Sequence, residues 1–154
     1  MAPRLSKEWY FLGLVKAVAS RSTCARRSVG AIIVDGYSHI LSTGYNGVPS
    51  DFPHCIDTPC AGAGDKHNDL KRCMAIHAEM NAVLQCSNIA MACRMYTSCT
   101  PCFDCAKVIA NTPIKHIVTL EAYSQEGLDV LRYRGIKVSV PHTTLPNSEF
   151  VTLW

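Results

Sequence analysis

The chain has 154 residues, enough for one domain (residues 1–154) around a single sizeable core, and its 48% hydrophobic and 18% charged content is that of an ordinary globular protein. A net charge of +3 permits a phosphorylated substrate but leaves no basic stripe of the kind nucleic-acid binders carry. Nine cysteines stand out: Met1 to Lys7 has no apolar leader, Lys16 interrupts the run that follows, and no apolar run reaches membrane-spanning length. These features predict a cytoplasmic chain with no membrane partner, its thiols serving as metal ligands or small buried side chains rather than disulfides.

In chain order, Ser6 is a candidate N-cap, and Trp9, Leu12, Val15, Lys16 and Ala19 follow at helical spacing, predicting a helix from Lys7 to Ser20. Val29 to Val34 is a β-branched run closed by Asp35-Gly36, a hairpin signal, with His39 to Thr43 as the returning strand. The segment from Gly44 to Lys71 is rich in Gly, Pro, Asp and His without periodicity. A stretch that long in a compact domain needs something to organise it, and a metal would. Cys55, Cys60, His67 and Cys73 fall in or beside it, and Cys24 lies just before the first strand. A second, closed zinc site is expected on Cys24, Cys55, His67 and Cys73, with Cys60 as the substitute; free thiols are the alternative.

A helix is expected from His77 to Gln85 with Met80, Val83 and Leu84 toward a sheet, then a strand Arg94 to Ser98 and a helix Cys102 to Asn111. A strand Ile114 to Leu120, a helix Gln125 to Tyr133 ending near Gly135, and a strand Ile136 to Val140 stopped by Pro141 complete the order. Cys86, Cys93 and Cys99 read as small buried hydrophobes, and His39 and His116 as structural. The tail from His142 is weakly patterned, with Phe150 and Trp154 free to dock on the body or on a partner subunit. Helices alternating with strands after an initial hairpin predict an α/β fold, a three-layer α/β/α sandwich with a mixed five-stranded sheet.

The chemistry gathers at His77-Ala78-Glu79 and Pro101-Cys102-Phe103-Asp104-Cys105. His77, Cys102 and Cys105 are three ligands of the kind that hold Zn²⁺ with its fourth position open, where a water has its pKa lowered to about 7. His77 and Glu79 would face opposite ways in a helix interior, so they converge only in a first turn. Pro101 suits the first position of a helix, placing Cys102 and Cys105 in the opening turn of another, where thiolates are favoured. C-x-x-C alone would equally suit a redox dithiol or a structural zinc knuckle. With H-A-E upstream, the pattern is the signature of zinc-dependent base deaminases, in which Glu79 is the general acid/base.

With these motifs in view the chain resembles the cytidine/deoxycytidylate deaminase family, and within it the dCMP deaminases. The resemblance runs from about Trp9 to Val140, through Ser22-Thr23-Cys24, Arg27 to Ala31, Gly44-Tyr45-Asn46-Gly47, Ile76 to Ala82 and Pro101 to Lys107. It implies a cytidine deaminase-like fold and hydrolytic removal of the 4-amino group of dCMP to give dUMP. Glu79 would shuttle the proton, backbone near Ala78 and Ser98-Cys99 would read the cytosine edge, and Asn46 would hold the sugar 3′-hydroxyl. Arg26 or Arg27 with Tyr123 is the expected phosphate subsite, from charge and position. The family further implies a homo-oligomer, commonly a hexamer, activated by dCTP and inhibited by dTTP through Gly44, Tyr45, Asn46 and Gly47, with Mg²⁺ accompanying a bound triphosphate. A short link between Glu79 and Pro101 and an irregular insertion around Gly62-Ala63-Gly64 depart from the family pattern. Other substrates (dCTP beside dCMP, a base in tRNA, a pyrimidine-pathway intermediate), a zinc-stabilised interaction module and a thiol redox protein on Cys102 and Cys105 are the competing readings.

Overall fold

The computed structural model describes residues 4–63 and 72–153. A six-stranded sheet forms the middle layer, in the order β2-β1-β3-β4-β5-β6. Its strands are β1 (Gly30–Val34), β2 (Ile40–Tyr45), β3 (Arg94–Cys99), β4 (His116–Glu121), β5 (Lys137–Pro141) and β6 (Phe150–Thr152). β3, β4 and β5 run parallel, whereas β1 is antiparallel to both β2 and β3, and β6 is antiparallel to β5. The helices are α1 (Lys7–Ala19), α2 (Ala78–Leu84), α3 (Phe103–Ala110) and α4 (Gln125–Tyr133).

Strand alternation sorts the core into two faces. Ile32 and Val34 of β1, Tyr96 of β3 and Val118 of β4 meet Phe11, Leu12 and Val15 of α1. Ala31, Ile33, Met95, Ile117 and Val138 meet Ala78 and Ala82 of α2, Ala106 and Ile109 of α3, and Leu128 and Leu131 of α4. β1 is buried at every position because helices cover both of its faces. The three-layer sandwich is thus the expected one, with one helix on one side and three on the other.

Three expectations change. The sheet gains a sixth strand from the tail, because Phe150 packs on Trp9 (ring centres 5.8 Å apart) and the backbone of Phe150–Thr152 pairs with β5. Leu84 does not face the sheet: it is 74% exposed, and the buried residues of α2 are Ala78, Glu79 and Ala82. The β1–β2 turn is not a two-residue Asp-Gly turn. Asp35 Oδ1 accepts from the amides of Tyr37 and His39 (2.8 and 2.9 Å), and Ser38 takes the positive φ of 72°. Gly135, the expected C-cap of α4, does carry a positive φ, of 75°.

His116, at the start of β4, pairs with Ser139 Oγ across 2.8 Å. Burial first, and then the neighbouring cations Arg94 and Lys137, lower its pKa to about 4, with Glu8 opposing. The folded chain therefore prefers the neutral ring, and stability from this group is complete above its unfolded pKa of about 6.5 and falls as pH drops toward 4. After discounting for partial exposure, the loss should be about 2 kcal/mol. Urea unfolding at pH 7 and pH 4.5 should show His116→Gln losing less than the wild type by that margin; equal losses would refute the assignment.

Candidate functional site

The site lies at the carboxyl ends of β3 and β4, where α2 and α3 begin. His77 is the N-cap of α2 and Cys102 the N-cap of α3, both with extended backbone (φ −69°, ψ 152° and φ −68°, ψ 172°). Neither side chain caps its own helix; they turn toward each other. Pro101 therefore precedes the cap instead of occupying the first helical position, and Cys105 falls in the first turn of α3. Two small residues permit this approach. A Cβ on Gly44 of β2 would collide with the Ala78 carbonyl and the Ala82 amide of α2, and one on Gly127 of α4 with the Pro101 carbonyl.

His77 Nδ1 lies 3.4 Å from Cys102 Sγ and 3.3 Å from Cys105 Sγ. A tetrahedral zinc holds nitrogen and sulfur ligands about 3.5 Å apart, so the three donors fit that ion with little adjustment. The protonation pattern agrees. The hydrogen bond from Cys105 holds the Cys102 thiol far below the usual range, with His77 assisting, and Cys105 is pushed up in turn. The Cys102 anion raises His77. One thiolate, a thiol sharing its proton and an imidazole form a donor set that a divalent cation would satisfy. Among the described residues this is the one group of three or more His, Cys, Asp or Glu whose ligand atoms lie within 4.8 Å of one another.

Glu79 is only 4% exposed, and its Oε2 accepts from Cys105 Sγ at 3.7 Å. Burial raises its pKa above the carboxylate norm, which suits a group that must both take and give a proton.

A cleft of about 570 Å³ opens over these residues, within the range of small-molecule sites. Of the sequence-expected positions, Arg26, Arg27, Asn46, Ala78, Cys99 and Tyr123 line it, as do Cys24 and Cys73. Ser98 does not: its hydroxyl accepts from the Gly30 amide at 3.0 Å. Cys99 is a neutral thiol, pushed up to about 12 by burial. Asn46 already has partners, accepting from the Val29 amide (2.8 Å) and donating to the Arg27 carbonyl (2.7 Å), which leaves one amide hydrogen for a ligand. The rest of its loop has contacts of its own: Gly44 packs on α2, the Tyr45 carbonyl accepts from Asn81, and Gly47 bridges to Ile76. Thr100, Phe103, Asp104, Ser124 and Glu126 also line the cleft without having been singled out. Ser124 had a signal, standing as N-cap before α4; Thr100 and Glu126 had none.

Cys24, Cys55, Cys60 and Cys73 form a second group of thiols. Cys55 and Cys60 Sγ are 3.7 Å apart. The amide of Met74, then those of Gly62 and Ala63 with the Cys55 thiol, lower Cys60 to about 7. Burial raises Cys73, and the charges of Cys24 and Cys60 add to it. Cys60 thus stands beside the expected ligand Cys55, while the expected ligand His67 lies outside the described residues.

The model of the family described as "Cytidine and deoxycytidylate deaminase zinc-binding region" matches residues 5–121. The chain belongs to that family. It is 35% identical over 146 residues to deoxycytidylate deaminase of Saccharomyces cerevisiae, covering 90% of this chain and 46% of that protein. To deoxycytidylate deaminase of Mycobacterium phage D29 it is 36% identical over 116 residues, covering 71% of this chain and 90% of the phage protein. The chain thus spans about half the length of the yeast relative and most of the phage one. Among solved structures, dCMP deaminase from the cyanophage S-TIM5, in complex with dCMP and dUMP, superposes with a TM-score of 0.71. It is 27% identical, with 89% of this chain and 99% of that one covered.

Gly127→Ala should push α4 away from Pro101 and Cys102, at about 1–3 kcal/mol, and speed zinc loss to a chelator. Gly13→Ala, on α1 with no atom within 4 Å of the new methyl, serves as the control and should leave both unchanged or raise stability. Equal zinc retention in Gly127→Ala would show that the approach of α4 to Cys102 is not needed at the site.

Proposed function

We propose that the chain deaminates dCMP hydrolytically to dUMP. The carrying observation is Glu79, a buried carboxyl with a raised pKa against the His77, Cys102 and Cys105 cluster. A structural metal site has no use for such a group. The two relatives named deoxycytidylate deaminase support the substrate class.

Zinc held by His77, Cys102 and Cys105 would supply Lewis acidity and a water acidic enough to ionise near neutral pH. Glu79 takes one proton of the attacking water and delivers it to cytosine N3, then takes the remaining hydroxyl proton from the oxygen added at C4 and delivers it to the amino group, which departs as ammonia. Backbone at Ala78 and Cys99 borders the base. The free hydrogen of Asn46 is available for the sugar 3′-hydroxyl, and Arg26, Arg27 and Tyr123 flank the phosphate. The thiols around Cys60 would hold a second, structural zinc with Cys24, Cys55 and Cys73. Homohexamer assembly, cytoplasmic location and control by dCTP and dTTP, with Mg²⁺ on a bound triphosphate, belong to the same reading by family likeness. No helix among the described residues is long and apolar enough to cross a membrane.

Ammonia release from dCMP and dCTP, each with and without dTTP, is the primary test. Turnover of dCMP suppressed by dTTP is expected; comparable turnover of dCTP would make the enzyme dual in substrate, and silence on both would sink the substrate assignment. Glu79→Gln should keep its fold and zinc while losing deamination by about three orders of magnitude or more; surviving activity would refute the mechanism. Metal analysis should return two zinc atoms per chain, falling to one in Cys60→Ser; one atom in the unaltered protein would remove the second site.

A further inference from the structure

The charged side chains around the cleft do not form a strongly cationic rim. Arg26 and Arg27 line it, but so do Asp104 and Glu126, and Asp104 is engaged with Lys107 at 2.7 Å. Glu121, the last residue of β4, pairs with one of these lining arginines. Its carboxylate lies 2.7 Å from Arg27 Nη2, and the Arg27 guanidinium carbon sits 4.5 Å from the centre of the Tyr123 ring. Arg27 is fixed at its other end as well, its carbonyl accepting from Asn46 Nδ2 at 2.7 Å and Ser22 Oγ at 3.3 Å. A guanidinium carries five N–H donors, so one contact to Glu121 leaves others for an anion in the cleft.

We propose that Glu121 is a specificity-determining positioning residue, holding Arg27 over Tyr123 and restricting the cleft to nucleotides with a single phosphoryl group. This rests on the cleft being the nucleotide site. The side chains of the pair are 38% and 62% exposed, so the bond contributes little to folding; its consequence lies in the charge presented to a ligand. One phosphoryl group meets two guanidiniums, that of Arg27 held by a carboxylate and that of Arg26 donating to the Gly62 carbonyl at 2.9 Å. Further phosphoryl groups would add negative charge to a cleft that Asp104 and Glu126 also line, with no additional cation among the described lining residues to receive it.

The test uses the zinc-loaded protein, unaltered and as Glu121→Gln, which keeps an acceptor for Arg27 and removes the charge. Calorimetry would measure binding of orthophosphate and of tripolyphosphate, and steady-state kinetics would measure dCMP and dCTP turnover alongside. The variant should narrow the kcat/KM preference for dCMP over dCTP by about tenfold, through the dCTP KM, and tighten tripolyphosphate by a similar factor. Orthophosphate binding should change less than about threefold. Unchanged preference with unchanged tripolyphosphate binding would overturn the proposal. Equal weakening of both anions would overturn it too, leaving Glu121 a strut for Arg27 with no say in phosphate number. If the anion shifts appeared but the unaltered protein never turned over dCMP, the substrate assignment would fall while the charge selection stood.

Discussion

The close approach of backbones at two glycines is the constraint on which the site depends. His77, Cys102 and Cys105 come from residues far apart in sequence, and their ligand atoms meet only if α2 and α3 start at the same end of the sheet with little between them. Gly44 lets α2 settle on β2, and Gly127 lets α4 press against Pro101 and Cys102. The alanines of α2 and α3, Ala78, Ala82 and Ala106, continue the same close packing into the core. Small side chains thus set the positions of the donors, and the donors' electrostatics follow. A thiolate, a thiol and an imidazole held this closely must share protons or accept a cation.

The same packing explains the behaviour of Glu79. On a helix whose buried positions are otherwise alanine, a carboxyl at the second helical position is carried inward along with them. Its desolvation is a by-product of where α2 lies, and the raised pKa follows without a dedicated partner. The cleft is then closed at its other side by the loop before β1, which Asn46 holds through Val29 and Arg27.

The catalytic motif and the element order were legible because both are local. A histidine and a glutamate two apart must sit in a first turn, and β-branched runs between helical periods become strands. On α2 the expectation from hydrophobicity holds for Val83, which packs against the core, but not for Leu84: the buried positions are Ala78, Glu79 and Ala82, and which face of a short helix turns inward is a tertiary property. The strand at Phe150–Thr152 escaped notice because three residues carry no pattern, and what recruits them is Trp9, more than a hundred positions away. The thiols were legible as a group but not as a set, since the proximity of Cys60 to Cys55 depends on a turn made by irregular backbone. Asn46 was assigned to the ligand by family likeness, and its obligations to its own loop became visible only in three dimensions.

The Thr100 hydroxyl accepts from the amides of Tyr123 (2.7 Å) and Ser124 (3.0 Å), while the Thr100 amide donates to the Glu121 carbonyl at 3.0 Å. Thr100 is itself fully buried. The segment that carries the aromatic wall of the cleft is therefore tied down before any ligand arrives. A ligand entering such a cleft loses its own rotational freedom but need not order that part of the protein. The heat capacity change of association should accordingly reflect only the apolar surface the ligand covers, with no added contribution from a loop that folds on contact.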